Sequence, residues 1–149
     1  TIFLKIEKVS KFFREIIGSE RRSETVVHVK GLPWKIVAKI NASTKGIGKT
    51  LGFYLFCAVP KETTDWSRKC SATFRFDFPS DECRQGFDGL IFDNKSTNYG
   101  FNEFISFEHL DWLGTEIGWY DKEEDKVTLA IDIYVDDEER EKPFGSIYG

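Results

Sequence analysis

At 149 residues and a formal charge of −4, the chain has the size of one domain, one that hides roughly 70% of the surface its unfolded form would expose. Its 21 Lys and Arg are scattered among 25 Asp and Glu, so the basic stripe that a nucleic-acid binder needs is missing. No stretch approaches the roughly 20 apolar residues of a membrane-spanning helix. The 14 Phe, 5 Tyr and 4 Trp, with no Met, favour strands over helices.

With no Met at all, the chain is expected to be a piece cut from a longer protein. Thr1 to Glu7 alternates apolar with polar residues and carries charge early, unlike the apolar run of a signal peptide. Lys11 to Gly18 reads as one or two helical turns ended by the glycine. His28 lies between Val27 and Val29 in a strand pattern, where a histidine reads as a surface or half-buried strand residue rather than a base. Trp34 to Ile40 is a further strand. Asn41 to Lys49 reads as a polar hairpin loop. Its Gly46-Ile47-Gly48-Lys49 lacks the spacing of a phosphate loop. Leu51 to Val59 is apolar on both sides, as a mid-sheet strand covered on both faces would be.

Cys70 to Phe78 alternates apolar and polar at every step, Pro79 to Glu82 is a turn, and Glu103 to Trp112 is expected to form a short helical turn. Val127, Leu129, Ile131, Ile133 and Val135 point the same way along a last strand. The charged run from Asp136 onward reads as solvated chain, with a tail or linker over 138–149. The strand spacing and scarcity of helix specify an antiparallel sandwich or barrel.

Cys57, Cys70 and Cys83 form no CxxC pair and are odd in number, which argues against a disulfide framework and a zinc site and favours the cytoplasm or nucleus. The sequons at Asn41 and Asn94 are read as chance triplets. His28 and His109 sit in no catalytic motif, and Cys57 reads as a small core residue. The acidic turns lack the spacing of a calcium loop. Neither a cofactor nor a metal is expected, and the chain reads as a binding domain rather than an enzyme. The best binding candidate is Asn98-Tyr99-Gly100-Phe101, where a glycine allows another chain to approach closely; spacing alone also fits a turn with Tyr99 half-buried and Phe101 in the core.

Five stretches resemble the MATH (TRAF-like) family in order and spacing: Gly31-Leu32-Pro33-Trp34-Lys35-Ile36, Leu51-Gly52-Phe53-Tyr54-Leu55, Asp65-Trp66-Ser67, Tyr99-Gly100-Phe101-Asn102-Glu103-Phe104 and Asp125-Lys126-Val127-Thr128-Leu129. They look closest to the amino-terminal, substrate-recruiting domains of ubiquitin-specific proteases. The resemblance implies an all-β, eight-stranded antiparallel sandwich over residues 1–137. It also implies that short extended peptides pair with a sheet edge. The family motif Asp-Trp-Gly-Phe stands here as Asn98-Tyr99-Gly100-Phe101, with Glu103 beyond it. Asn98 keeps an acceptor oxygen without the carboxylate's charge, and Tyr99 keeps a flat wall with a polar tip. The resemblance further places Lys30 beside the groove, where an arginine stands in those proteases, and Phe87 and Asp88 on the strand facing the peptide. The implied parent is a deubiquitinase, with a BTB-type cullin-ligase adaptor or a trimeric TRAF-like scaffold as alternatives.

Overall fold

Alternation in the sequence becomes one-sided burial in the first strand, β1 (Ile2–Glu7), where Ile2, Leu4 and Ile6 are buried and the residues between them are exposed. The computed structural model describes residues 1–24, 26–45, 48–60, 62–63, 65–77 and 84–136. A short helix follows, α1 (Val9–Phe13). It begins before the expected Lys11 and ends well short of Gly18. The cause is its apolar stripe: Val9, Phe12 and Phe13, at positions i, i+3 and i+4, are all buried. Gly18 has a different task, since its N–H donates to the Ile40 carbonyl at 2.7 Å and ties the following loop to a strand.

Two short strands, β2 (Glu20–Arg22) and β3 (Val27–Val29), then run along one edge of the long β4 (Leu32–Ala42). Between β3 and β4, Lys30 (φ 53°) and Gly31 (φ 79°) make a two-residue turn with both residues left-handed, the geometry that matches strand twist. The remaining strands are β5 (Lys49–Cys57), β6 (Ser67–Phe76), β7 (Gln85–Asp93), β8 (Asn98–Ser106), β9 (Tyr120–Asp121) and β10 (Lys126–Val135).

These strands form two antiparallel sheets, ordered β1-β10-β6-β7 and β2-β4-β5-β8, with β9 on β10 and β3 on β4. Among the described residues, if β2 and β3 are counted as one interrupted edge strand, eight principal strands remain, and the two-residue β9 is a supplement. The fold is thus an all-β antiparallel sandwich. Its last strand, β10, lies between β1 and β6. The charged tail expected after it lies outside the described residues, as do Gly46, Ile47, the Pro79–Glu82 turn and Cys83.

The core between the sheets is an array of rings. Phe53 meets Phe74 at 5.0 Å and Phe104 at 4.9 Å, Trp34 meets Phe92 at 4.9 Å, and Trp119 stacks on Phe76 at 4.8 Å. Three of the four are edge-to-face, the arrangement favoured by ring quadrupoles. β5 is an interior strand as expected. It is not covered on both faces, however, because Tyr54 and Phe56 on its outer side are only half-buried. The expected helical turn at Glu103 is also corrected. Strand β8 continues to Ser106, whose hydroxyl accepts the His109 N–H at 3.1 Å and so caps the short α2 (Phe107–His109). A π turn (Leu110–Gly114) and α3 (Thr115–Ile117) follow, and Gly118 (φ 112°) ends the helical segment.

Candidate peptide-binding edge

Strands β7 and β8 are joined by a turn but belong to opposite sheets, each at the end of its sheet. A seam therefore runs between two strand edges that have no neighbour among the described residues. Rings from both sides face into it. Phe87 of β7 stacks on Phe101 of β8 at 4.9 Å, and Tyr99 meets Phe92 edge-on at 4.8 Å. The Tyr99 hydroxyl donates to the Ile91 carbonyl at 2.6 Å, joining the two sheets across the seam.

The ladder register decides which backbone groups of β8 are available. Cys57 N–H donates to the Thr97 carbonyl at 2.9 Å, and Leu55 and Phe53 lie opposite Tyr99 and Phe101. Bonded and non-bonded pairs alternate in an antiparallel ladder. The peptide groups of Tyr99 and Phe101 therefore turn toward β5, and those of Asn98 and Gly100 turn to the open edge. Non-bonded pairs are the closer ones, and at Gly100 the approach is extreme. A Cβ there would stand 2.1 Å from the Phe53 carbonyl oxygen. Only glycine fits.

Both edge strands carry irregularities. On β7, Cys70 faces Leu90 while Ala72 faces Phe87, so Asp88 and Gly89 (φ 67°) form a bulge. The extra residue keeps Phe87, Leu90 and Phe92 on the inner face and leaves Asp88 exposed. On β8, Leu51 faces Ile105 while Phe53 faces Phe101, so the stretch from Asn102 to Phe104 bows away from β5.

The eight residues singled out in the sequence therefore divide into groups. Asn98, Tyr99, Gly100 and Phe101 lie consecutively on β8, and Phe87 and Asp88 lie across the seam. Tyr99 and Phe101 face inward and are half-buried. Glu103 lies on the bowed segment and is occupied elsewhere. It accepts from Ser43 Oγ (3.3 Å) and the Thr44 N–H (3.1 Å), and from the Thr44 hydroxyl. The Thr44 bonds hold its carboxyl below the ordinary range. Lys30 lies at the β3–β4 turn on the other edge of the sheet, two to three strand spacings or about 10–15 Å from β8.

A polar bridge that the sequence did not flag crosses the outer face of the same sheet. Asn41 Nδ2 donates to the Tyr54 hydroxyl at 2.9 Å and to the Asn102 carbonyl at 2.8 Å, and Tyr54 in turn donates to Asn102 Oδ1 at 2.8 Å. It passes over Gly52, where a Cβ would meet Asn41 Nδ2 at 2.4 Å. A glycine inside an apolar strand was the available signal.

Among the described residues, those weighed for chemistry lie apart from one another. His28 and His109 are exposed on separate elements. Cys57 and Cys70 are buried, and burial pushes their thiols up to about 11 and about 12, which keeps them protonated. Among the described residues no group of three His, Cys, Asp or Glu could hold a metal ion, and no helix is long and apolar enough to cross a membrane.

No curated protein matches the chain. Residues 1–114 match the MATH domain family, which covers every strand but β9 and β10. MATH domains bind other proteins and are not catalytic. The sandwich, the ordered sequence stretches and this match together place the chain in the MATH domain family.

Proposed function

We propose that this domain recruits partner proteins by adding a short extended peptide to the β8 edge, with the β7–β8 seam selecting its side chains. The observation that carries the reading is the run of outward-turned backbone groups at Asn98 and Gly100 on a sheet edge. Such an edge offers main-chain hydrogen bonds to any extended peptide, so choice among sequences falls to the flanking side chains. Asn98 supplies a neutral acceptor and Asp88 a carboxylate that favours a donor or basic group. The Phe87–Phe101 stack supplies an apolar wall. A contact of this size gives micromolar affinity, because each ladder bond nets only about 0.5–1.5 kcal/mol.

The parent we infer is a ubiquitin-pathway protein of the cytoplasm or nucleus, a deubiquitinase related to the herpesvirus-associated ubiquitin-specific protease, for which this domain holds the substrate. Asn41 supports the intracellular reading, since the amide nitrogen that would carry a glycan is committed to Tyr54 and Asn102. The test is selection from a library of displayed peptides, followed by titration onto wild type, Asn98→Ala and Asp88→Lys. Both exposed variants should fold normally and bind selected peptides several-fold differently from wild type. Unchanged binding by both would remove the β8 edge from the reading.

A further inference from the structure

A second concave surface lies at the far end of the sandwich from the Asn98 end of β8. Helix α1 contributes Phe13 and Arg14 to it, the β4–β5 hairpin contributes Gly48 and Lys49, and the corner after β8 contributes Phe107 and Glu108. The cleft measures about 750 Å³. Its base is aromatic, since the rings of Phe13 and Phe107 meet at 5.1 Å. Phe13 is buried, but Phe107 keeps part of its surface open.

The rim is cationic in a chain whose net charge is −4. Arg14 is exposed. Lys49 Nζ donates one bond to the Glu15 carbonyl at 2.6 Å, and an ammonium has three donors. The carboxylates around the cleft are mostly spent on internal partners: Glu15 on Arg21, Glu103 on the hairpin loop, and Asp125 on Ser10 and Tyr120. All three are held below their ordinary range, chiefly by those hydrogen bonds, with Lys11, Lys45 and Arg14 respectively adding to the effect. Among the described residues, Glu108 is the one acidic side chain lining the cleft.

We propose that this cleft is a second protein-binding site, which takes an acidic segment of a partner: Asp or Glu side chains on Arg14 and Lys49, and one apolar side chain on the Phe13–Phe107 base. Charge complementarity selects the partner, and the rings add an apolar requirement that a simple anion does not meet. The site is independent of the β8 edge. A partner holding both would gain from the linkage of two weak contacts.

Amide shifts in the 149-residue chain test it, with four probes: capped Glu-Glu-Phe-Glu-Glu, Glu-Glu-Gly-Glu-Glu and Lys-Lys-Phe-Lys-Lys, and inorganic phosphate. The first should move Ser10, Arg14, Gly48, Lys49 and Phe107 and leave Asn98 and Gly100 in place. Replacing its Phe by Gly should weaken it several-fold, and the lysine peptide should not bind. Arg14→Glu should weaken the first peptide roughly tenfold in a chain that stays folded, with a melting temperature lowered only slightly by the loss of its support for Asp125, and Glu108→Lys should tighten it. Absence of shifts around the cleft, equal shifts with phosphate and peptide, or shifts only along β8 would each overturn the proposal. Because Asn98 and Gly100 report separately, its failure leaves the β8 reading intact.

Discussion

One edge of the β2-β4-β5-β8 sheet is made of two three-residue strands, β2 and β3, and the other is the nine residues of β8. The first is broken and charged. Arg22 pairs with Glu20 at 2.7 Å, and Arg21 pairs with Glu15 at 2.6 Å while its guanidinium lies 4.3 Å from the centre of the Phe12 ring. Short length and charge are the usual ways to stop an edge from pairing with another chain. The Asn98–Phe101 stretch of β8 carries no charge and includes a glycine. Its protection begins only where the strand bows at Asn102 and Glu103 locks onto the hairpin loop. The contrast teaches that within one sheet edge protection is kept at β2 and β3 and relaxed over a few residues of β8, where a peptide would be received.

That comparison can be broken most forcefully at Gly100. Gly100→Ala should destabilise the domain by about 1–3 kcal/mol through collision with β5. Gly86→Ala, on the β7 edge with its nearest neighbour at 3.8 Å, should be neutral or slightly stabilising in the same thermal melts. A smaller loss, about 0.5–1.5 kcal/mol, is expected for Tyr99→Phe, which deletes the hydrogen bond across the seam but keeps the ring on Phe92. Arg21→Ala tests the other edge. It removes a partly exposed ion pair and the contact with Phe12, and chemical denaturation should report about 0.5–1 kcal/mol.

The smallest effect is a pH slope. Burial pushes the Asp125 carboxyl up, but bonds from Ser10 and Tyr120 outweigh it and hold it below its ordinary 3.8. Arg75 likewise holds Asp132 low. A carboxyl depressed in the folded state contributes stability above its unfolded value and loses it as pH falls through the folded one. Melting temperature should therefore fall as pH is lowered from about 5 toward 2. Asp125→Asn should flatten part of that slope, and an unchanged slope would refute the assignment.

Much of this architecture is written in single-strand patterns. β6 and β10 could be read directly because one face of each is buried, so alternation in the sequence becomes alternation in burial. Tyr99, Gly100 and Phe101 stood out for a related reason, as a glycine between two rings in an extended run. The bulges at Asp88–Gly89 and Asn102–Phe104 were not legible, since a bulge is a property of two strands in register and the pattern of either alone does not contain it. Glu103 illustrates the consequence. Its place in the sequence suggested a peptide contact, but the bow in β8 turns it to Thr44. Lys30 was drawn toward the groove by resemblance, while the turn geometry it shares with Gly31 fixes it at the opposite edge.

Hydrogen exchange of the β8 amides, measured free and with a saturating library-selected peptide, bears most directly on the account. In the free domain the Tyr99 and Phe101 amides should already be protected by β5, and those of Asn98 and Gly100 should exchange fast. Peptide binding should slow Asn98 and Gly100 and leave β2 and β3 unchanged. Slowing along β2 or β3, with Asn98 and Gly100 unaffected, would contradict it.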